Sequence, residues 1–314
     1  MTKIPLVGGN QITPDQLGFT LIHEHLRTET DGVRFQWPHL YDDRRQFDRA
    51  VEEVTNAMKH GVRTICDPTV LGLGRDARFM EQVVKETGAQ VVAATGLYTY
   101  RDLPHYFENR SIDFMAELFV RDITLGIQGT STKAGFIKFA TDEPGITPGV
   151  EKVIRAAARA HRKTGVPIIT HSHAHNSSGL DQIALLEEEG ADLSHVVIGH
   201  VGDTDNLEYL TAVLKRGVFI GLDRYGLDIY LPTEKRNQTV VSLIEQGYAD
   251  QLLLSQDACA TIDWFEPEEI TAMVPNWSMS YIPETILPAL KASGVTDDHI
   301  HRMTVENPRR LFDQ

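Results

Sequence analysis

Apolar, β-branched runs alternate with amphipathic stretches along the whole chain. Eight of the runs read as strands: FTLIHEH (19–25), TICDPT (64–69), QVVAATGLY (90–98), GFIKFAT (135–141), PIITHSH (167–173), HVVIGHV (195–201), VFIGLD (218–223) and QLLLSQD (251–257). Several carry apolar residues at consecutive positions, the pattern of strands covered on both faces. Helix patterns fill the intervals. VEKVIRAAARAHRKTG (150–165), for example, has an Ala-rich face, a basic last turn and a closing glycine. The order helix, glycine, strand recurs at Gly61, Gly88, Gly165, Gly190, Gly217 and Gly247, each suited to a left-handed cap. Eight strand–helix pairs without a linker or a break in composition predict one (β/α)8 barrel over residues 1–314. A doubly wound open sheet is the alternative, but no glycine-rich phosphate loop follows the first strand. The connection after the eighth strand, residues 258–282, is long and holds Trp264, Phe265 and Trp277. Loops in that position build barrel active sites, so this one reads as a lid or substrate wall.

Composition changes the picture only by exclusion. With 41% hydrophobic and 24% charged residues the chain suits a globular protein. A formal net charge of −14, from 44 acidic and 30 basic residues, works against nucleic acid and anionic membrane as partners. No apolar run is long enough to span a bilayer, and MTKIPLVGGNQITPD lacks the apolar core of a signal peptide. Cys66 and Cys259 stand far apart and in no metal-type spacing. A reduced cytoplasmic protein is the expectation, although two thiols could still form a single bridge.

The chemistry gathers where the strands end. His23 and His25 close the first strand, and Lys138 interrupts the fourth. His171 and His200 lie near the ends of the fifth and sixth, and Asp257 ends the eighth. Barrels place their catalytic residues at these carboxyl ends. Residues two apart in a strand share a face, so His23 and His25 would crowd one patch unless a metal ion took up both imidazoles. By themselves they could also be ordinary strand-end histidines. Lys138 is flanked by Phe136, Ile137 and Phe139, and burial turns a lysine towards its neutral amine. That amine could form a Schiff base with a carbonyl substrate. It could instead take up carbon dioxide, giving a carbamate whose two oxygens bridge two metals. The neighbouring histidines favour the carbamate; an ion-paired lysine at the barrel mouth is the plain reading. His173 and His175 continue the alternation past the fifth strand and read as loop residues or as partners behind the ligands. Arg224 follows Asp223 at the end of the seventh strand, with Asp203 a natural ion-pair partner.

HxH on the first strand, Lys on the fourth, His on the fifth and sixth and Asp on the eighth together resemble the binuclear sites of the amidohydrolase superfamily. More closely, LIHEHLR, DPTVLGLGRDARF, GLYTY, DEPGIT, IGHVGDTD, GLDRYGLD and ENPRRLF resemble the phosphotriesterase-like lactonases over essentially the full chain. The resemblance implies a homodimeric, quorum-quenching lactonase for N-acyl-homoserine lactones, with weaker hydrolysis of organophosphate triesters. It implies that His23, His25 and Asp257 bind one divalent ion and His171 and His200 a second. Carboxylated Lys138 and a hydroxide would join the two. Zinc is the first expectation, and iron, cobalt or manganese also suit these ligands. A metal pair about 3.5–4 Å apart acidifies the water between them and polarises the substrate oxygen. Asp257 would take the hydroxide proton and pass it to the leaving alkoxide. Tyr98 of GLYTY resembles the family tyrosine that contacts substrate. Cys259, Ile262, Trp264 and Trp277 would line an acyl-chain channel, with Leu73 and Leu227 weaker candidates for the same wall. True phosphotriesterases carry a histidine where Arg224 stands, and arginine cannot relay protons, which favours a lactonase. Gln256 stands where many relatives have histidine. It alternates away from the barrel axis, as does Glu24, so altered packing is expected there and not loss of metals.

Three rival readings remain at this point. One is a dedicated phosphotriesterase, and another a Schiff-base lyase using Lys138. The third is a barrel kept as a non-catalytic scaffold, which gives no reason for six costly polar positions.

Overall fold

The computed structural model describes residues 2–314. A short antiparallel hairpin comes first, β1 (Ile4–Pro5) and β2 (Gln11–Ile12). Two-residue strands are too short for alternation to show, so the sequence pattern does not reveal it. The eight expected strands follow as β3 (Thr20–Leu21), β4 (Thr64–Asp67), β5 (Gln90–Leu97) and β6 (Ala134–Ala140), then β7 (Ile168–His171), β8 (Val196–Ile198), β9 (Phe219–Leu222) and β10 (Leu252–Leu254). All pair in parallel with their chain neighbours, in the order β3 to β10. The intervening helices include Asp43–Lys59, Ala77–Thr87, Ile112–Thr124, Pro148–Thr164, Ser178–Glu188, Leu207–Leu214 and Thr233–Glu245. The fold is a (β/α)8 TIM barrel, nearly closed by its ladders. The six cap glycines named above all take positive φ, between 71° and 91°.

Closure is completed above the regular strands. Parallel bridges pair His25 with Cys259 and Thr28 with Ile262. The backbone N–H of Asp257 donates to His23 O at 3.0 Å, that of His25 to Ala258 O at 2.8 Å, and that of Ala260 to His25 O at 2.9 Å. The seam between the first and last barrel strands is thus made by the residues around the candidate ligands.

The strands are shorter than the apolar runs suggested. The run 19–25 is regular only at Thr20–Leu21, and 251–257 only at Leu252–Leu254. Left-handed φ of 63° at His200 and 53° at Asp257, which a ladder cannot continue, ends the regular pattern inside the runs 195–201 and 251–257. The chain also bends at Ile22–His23. Leu21 packs outward in the layer of Ala50, Val54 and Ala57, while Ile22 packs inward in that of Val92 and Phe136. Unbroken alternation would send His23 outward with Leu21. The bend turns it into the barrel mouth.

In β6 the alternation holds. Phe136 joins the inner layer, Ile137 and Phe139 pack towards the helices, and Lys138 faces in again at the mouth. Its neighbour across the ladder is Gly96, at φ 142°, where an added Cβ would lie 1.8 Å from the Lys138 carbonyl oxygen. Gly96→Ala is therefore expected to cost about 3 kcal/mol, read as a lowered urea midpoint. An unchanged midpoint would mean that the β5–β6 pair yields freely.

Cys66 and Cys259 are free, so the possible bridge does not form. No helix among the described residues is long and apolar enough to cross a membrane.

Candidate active site

The strand ends converge on one cavity of about 210 Å³. His23 and His25 enter it after β3, Lys138 from β6, His171 from the end of β7, His200 after β8, Arg224 after β9 and Asp257 after β10. Asp257 is the hub. Its Oδ1 lies 3.3 Å from Nε2 of both His23 and His25, and its Oδ2 lies 3.7 Å from Nε2 of His200. Lys138 Nζ is 2.9 Å from His23 Nε2 and donates to Thr170 O at 3.2 Å. The His200 ring centre lies 4.7 Å from that of His23 and 4.4 Å from that of His171. His23, His200 and Asp257 alone offer three ligand atoms within 4.8 Å of one another.

Each histidine is oriented from behind through its other nitrogen. His23 Nδ1 and His200 Nδ1 donate to the two oxygens of Asp223, each at 3.0 Å. His25 Nδ1 is 2.7 Å from Thr69 Oγ1, and His171 Nε2 is 3.3 Å from Asp142 Oδ2. Such partners set tautomer and ring direction for metal binding. His200 Nε2 is buried without any hydrogen-bond partner, a costly state that a bound cation would relieve. Burial pushes the imidazoles of His23 and His171 down to about 4 and that of His200 well below its ordinary value. They are neutral near pH 7, the form that ligates metals. Burial also brings Lys138 down to about 7. Burial works against the Asp257 carboxylate, yet nearby His23 and His200 hold its pKa well below the usual range. The donor set and its protonation states fit metal ions.

Arg224 is fixed from three sides. Its Nε donates to Asp257 Oδ2 at 3.0 Å and its Nη1 to Asp203 Oδ2 at 2.9 Å. Its guanidinium carbon lies 4.8 Å from the centre of the Tyr230 ring. Asp203 in turn accepts from Arg236 at 2.8 Å.

The candidate wall residues Leu73, Tyr98, Leu227, Cys259, Ile262, Trp264 and Trp277 all line the cavity. The Tyr98 ring stands edge-on to His171, with centres 5.4 Å apart, and lies 6.4 Å from Trp264. Phe265 of the predicted lid lines it as well, and so do Thr28, Ile229, Tyr230, Ile270, Met273 and Val274, which were not singled out from sequence. Ile270 and Met273 belong to a helix, Pro267–Met273, inside the 258–282 connection. Their spacing of three behind a proline was the available signal. The connection is tied down at both ends. Asp263 accepts from Thr30 N at 2.9 Å and from Tyr41 Oη at 2.8 Å, and Trp277 Nε1 donates to Gln256 O at 3.0 Å. Gln256, Glu24, His173 and His175 are not among the cavity residues. The Gln256 side chain is fully buried with both amide atoms unpaired.

Asp223, Asp142 and Thr69 escaped the sequence reading as functional residues. Only Asp223 carried a signal, as an acid ending an apolar run just as Asp257 does.

A TIM barrel with such a cluster at the carboxyl ends of its strands, over an apolar-walled cavity, has the parts of a hydrolase, and its relatives make it one acting on esters. The chain belongs to the phosphotriesterase family, whose model matches residues 5–312, and that family is one of binuclear metal enzymes. It is 56% identical over 312 residues to an aryldialkylphosphatase of Saccharolobus solfataricus, covering 99% of each chain. It is 44% identical over 306 residues to a phosphotriesterase homology protein of Mycobacterium tuberculosis, covering 95% of this chain and 94% of that one. Among solved structures it is similar to the phosphotriesterase from Mycobacterium tuberculosis. The TM-score there is 0.96 at 42% identity, with 99% of this chain and 98% of that chain covered.

Proposed function

We propose that this hydrolase is a lactonase that opens N-acyl-homoserine lactones and hydrolyses organophosphate triesters as a secondary activity. Arg224 carries the reading: it occupies the place next to Asp257 where proton relay would need a titratable group, and arginine stays protonated. The apolar wall of Leu73, Leu227, Ile262 and Trp264, with Cys259 and Trp277, suits an acyl chain more than a compact triester.

His23, His25 and Asp257 would hold one divalent ion and His171 and His200 a second, with Lys138, as its carbamate, available to both. Zinc is the first candidate, ahead of iron, cobalt and manganese. When bound, the two ions supply an activated water and polarise the substrate oxygen. Asp257 takes the proton of the attacking water, and the Arg224 guanidinium on its Oδ2 favours the carboxylate, so the proton moves on to the leaving alkoxide. Burial pushes the Tyr98 phenol up, so it stays a neutral hydroxyl donor beside the substrate. As in the lactonases it resembles, the protein would act as a cytoplasmic homodimer.

The test compares kcat/KM for an N-acyl-homoserine lactone and for paraoxon on metal-loaded protein. The lactone is expected to win by about 100-fold or more. The reverse ranking would make this a dedicated phosphotriesterase, and inertness towards both would restore the scaffold reading.

A further inference from the structure

Glu24 stands between His23 and His25 but lines no part of the cavity. It is fully buried and is met by hydrogen bonds alone. Its Oε1 accepts from Ser255 Oγ and from the Gln256 backbone N–H, both at 2.8 Å, and its Oε2 accepts from the Ala258 N–H at 2.8 Å. Ser255 Oγ accepts in turn from the His23 N–H at 2.9 Å. All three donors come from the segment that carries Asp257.

Asp257 itself is left-handed, at φ 53°, a conformation that a residue with a side chain seldom takes. The amides on either side of it, those of Gln256 and Ala258, both donate to Glu24, while the Asp257 amide goes to His23 O. An acceptor that takes both flanking amides stabilises the turn between them. Burial pushes the Glu24 carboxyl up, opposed by the hydrogen bonds from Gln256, Ser255 and Ala258; what fixes its place is the convergence of those three donors on its two oxygens.

We infer that Glu24 is a positioning residue: seated on the amides of Gln256 and Ala258, it holds Asp257 in the turn that brings Oδ1 to 3.3 Å from both His23 and His25. This rests on the assignment of those three residues to a metal ion. Glu24 acts on that ion only through Asp257.

Glu24→Gln is the test, because the amide keeps the shape but turns one accepting oxygen into a donor facing N–H groups. The variant and the wild type are each loaded with cobalt. Release of cobalt to a chelator is followed by absorbance, alongside kcat, KM for a lactone and the urea midpoint. Affinity for one of the two ions is expected to fall about 10–100-fold, with a similar loss in kcat and KM within about twofold. A lowered urea midpoint with cobalt retention and kcat unchanged would reduce Glu24 to a seam contact and overturn the proposal. Should Glu24→Gln not fold, Ser255→Ala removes one donor to the same carboxylate. It must show a smaller loss in the same two readouts, and unchanged readouts would count equally against the idea. Wild-type protein that retains no cobalt would refute the metal assignment itself. Normal wild-type loading with an indifferent variant would refute only the role of Glu24.

Discussion

Lys138→Met is expected to fold and yet to lose more than about 100-fold in kcat/KM, because removing the proposed ligand to both ions should exceed the 10–100-fold effect of losing a residue behind a ligand. Lys138 faces into the mouth from β6, is 1% exposed, and among the described residues has only His23 Nε2 and Thr170 O within hydrogen-bond reach. Burial brings it down to about 7, so much of it is neutral amine near neutral pH, the form that adds carbon dioxide. Methionine is unbranched, apolar and flexible enough to fill the same space. Removing a desolvated amine relieves its burial cost, which offsets the lost hydrogen bond to Thr170 O. The variant therefore separates chemistry from stability. Metal content per chain should drop, the urea midpoint should hold or rise, and lactone turnover should vanish. Near-wild-type turnover with a full metal complement would remove Lys138 from the site.

Asp223→Asn should weaken the centre on both sides at once. One buried carboxylate accepts from His23 Nδ1 through Oδ2, and from His200 Nδ1 and the His200 backbone N–H (2.8 Å) through Oδ1. Burial opposes its charge, but His200 and His23 hold it well below the usual carboxylate range. Asparagine offers one oxygen and turns an NH2 group towards the other partner. One ring must then change tautomer or rotate, and His23 and His200 are assigned to different ions. A loss of about 100-fold in kcat/KM is expected, with reduced occupancy of both ions and a stability cost of about 1–3 kcal/mol. Metal analysis with the urea midpoint distinguishes this from simple unfolding. Full occupancy of both ions in the folded variant would show that the imidazoles orient themselves.

Legibility from sequence followed the regularity of the backbone. Lys138 could be placed at the mouth because β6 alternates without interruption from Phe136 to Ala140. His23 reached the same mouth for a reason the pattern did not contain, a bend that reverses the face after Leu21. Asp257 was legible as a polar end to an apolar run, but its left-handed turn was not, since nothing in QLLLSQD marks a positive φ. Thr69 and Asp142 lie just past their strands, where no periodicity operates. The cavity wall was partly visible through Trp264 and Trp277. Ile229 and Tyr230 belong to a loop after β9 that only the closed barrel carries over the site.

The seam between the first and last barrel strands also has a consequence in time. His23 and the Ser255 hydroxyl that receives its N–H are 232 positions apart in the chain. Closing so long a loop adds little free energy beyond a shorter one, about 0.6 kcal/mol per doubling, but such distant pairings form late. With His23, His25 and Asp257 as joint ligands, the centre has no partial form that a growing chain could use. On the proposed assignment, the protein should be inert towards esters during synthesis until Asp257 has left the ribosome and β10 has come round to meet β3. Assembly of the metal centre then marks the completed barrel.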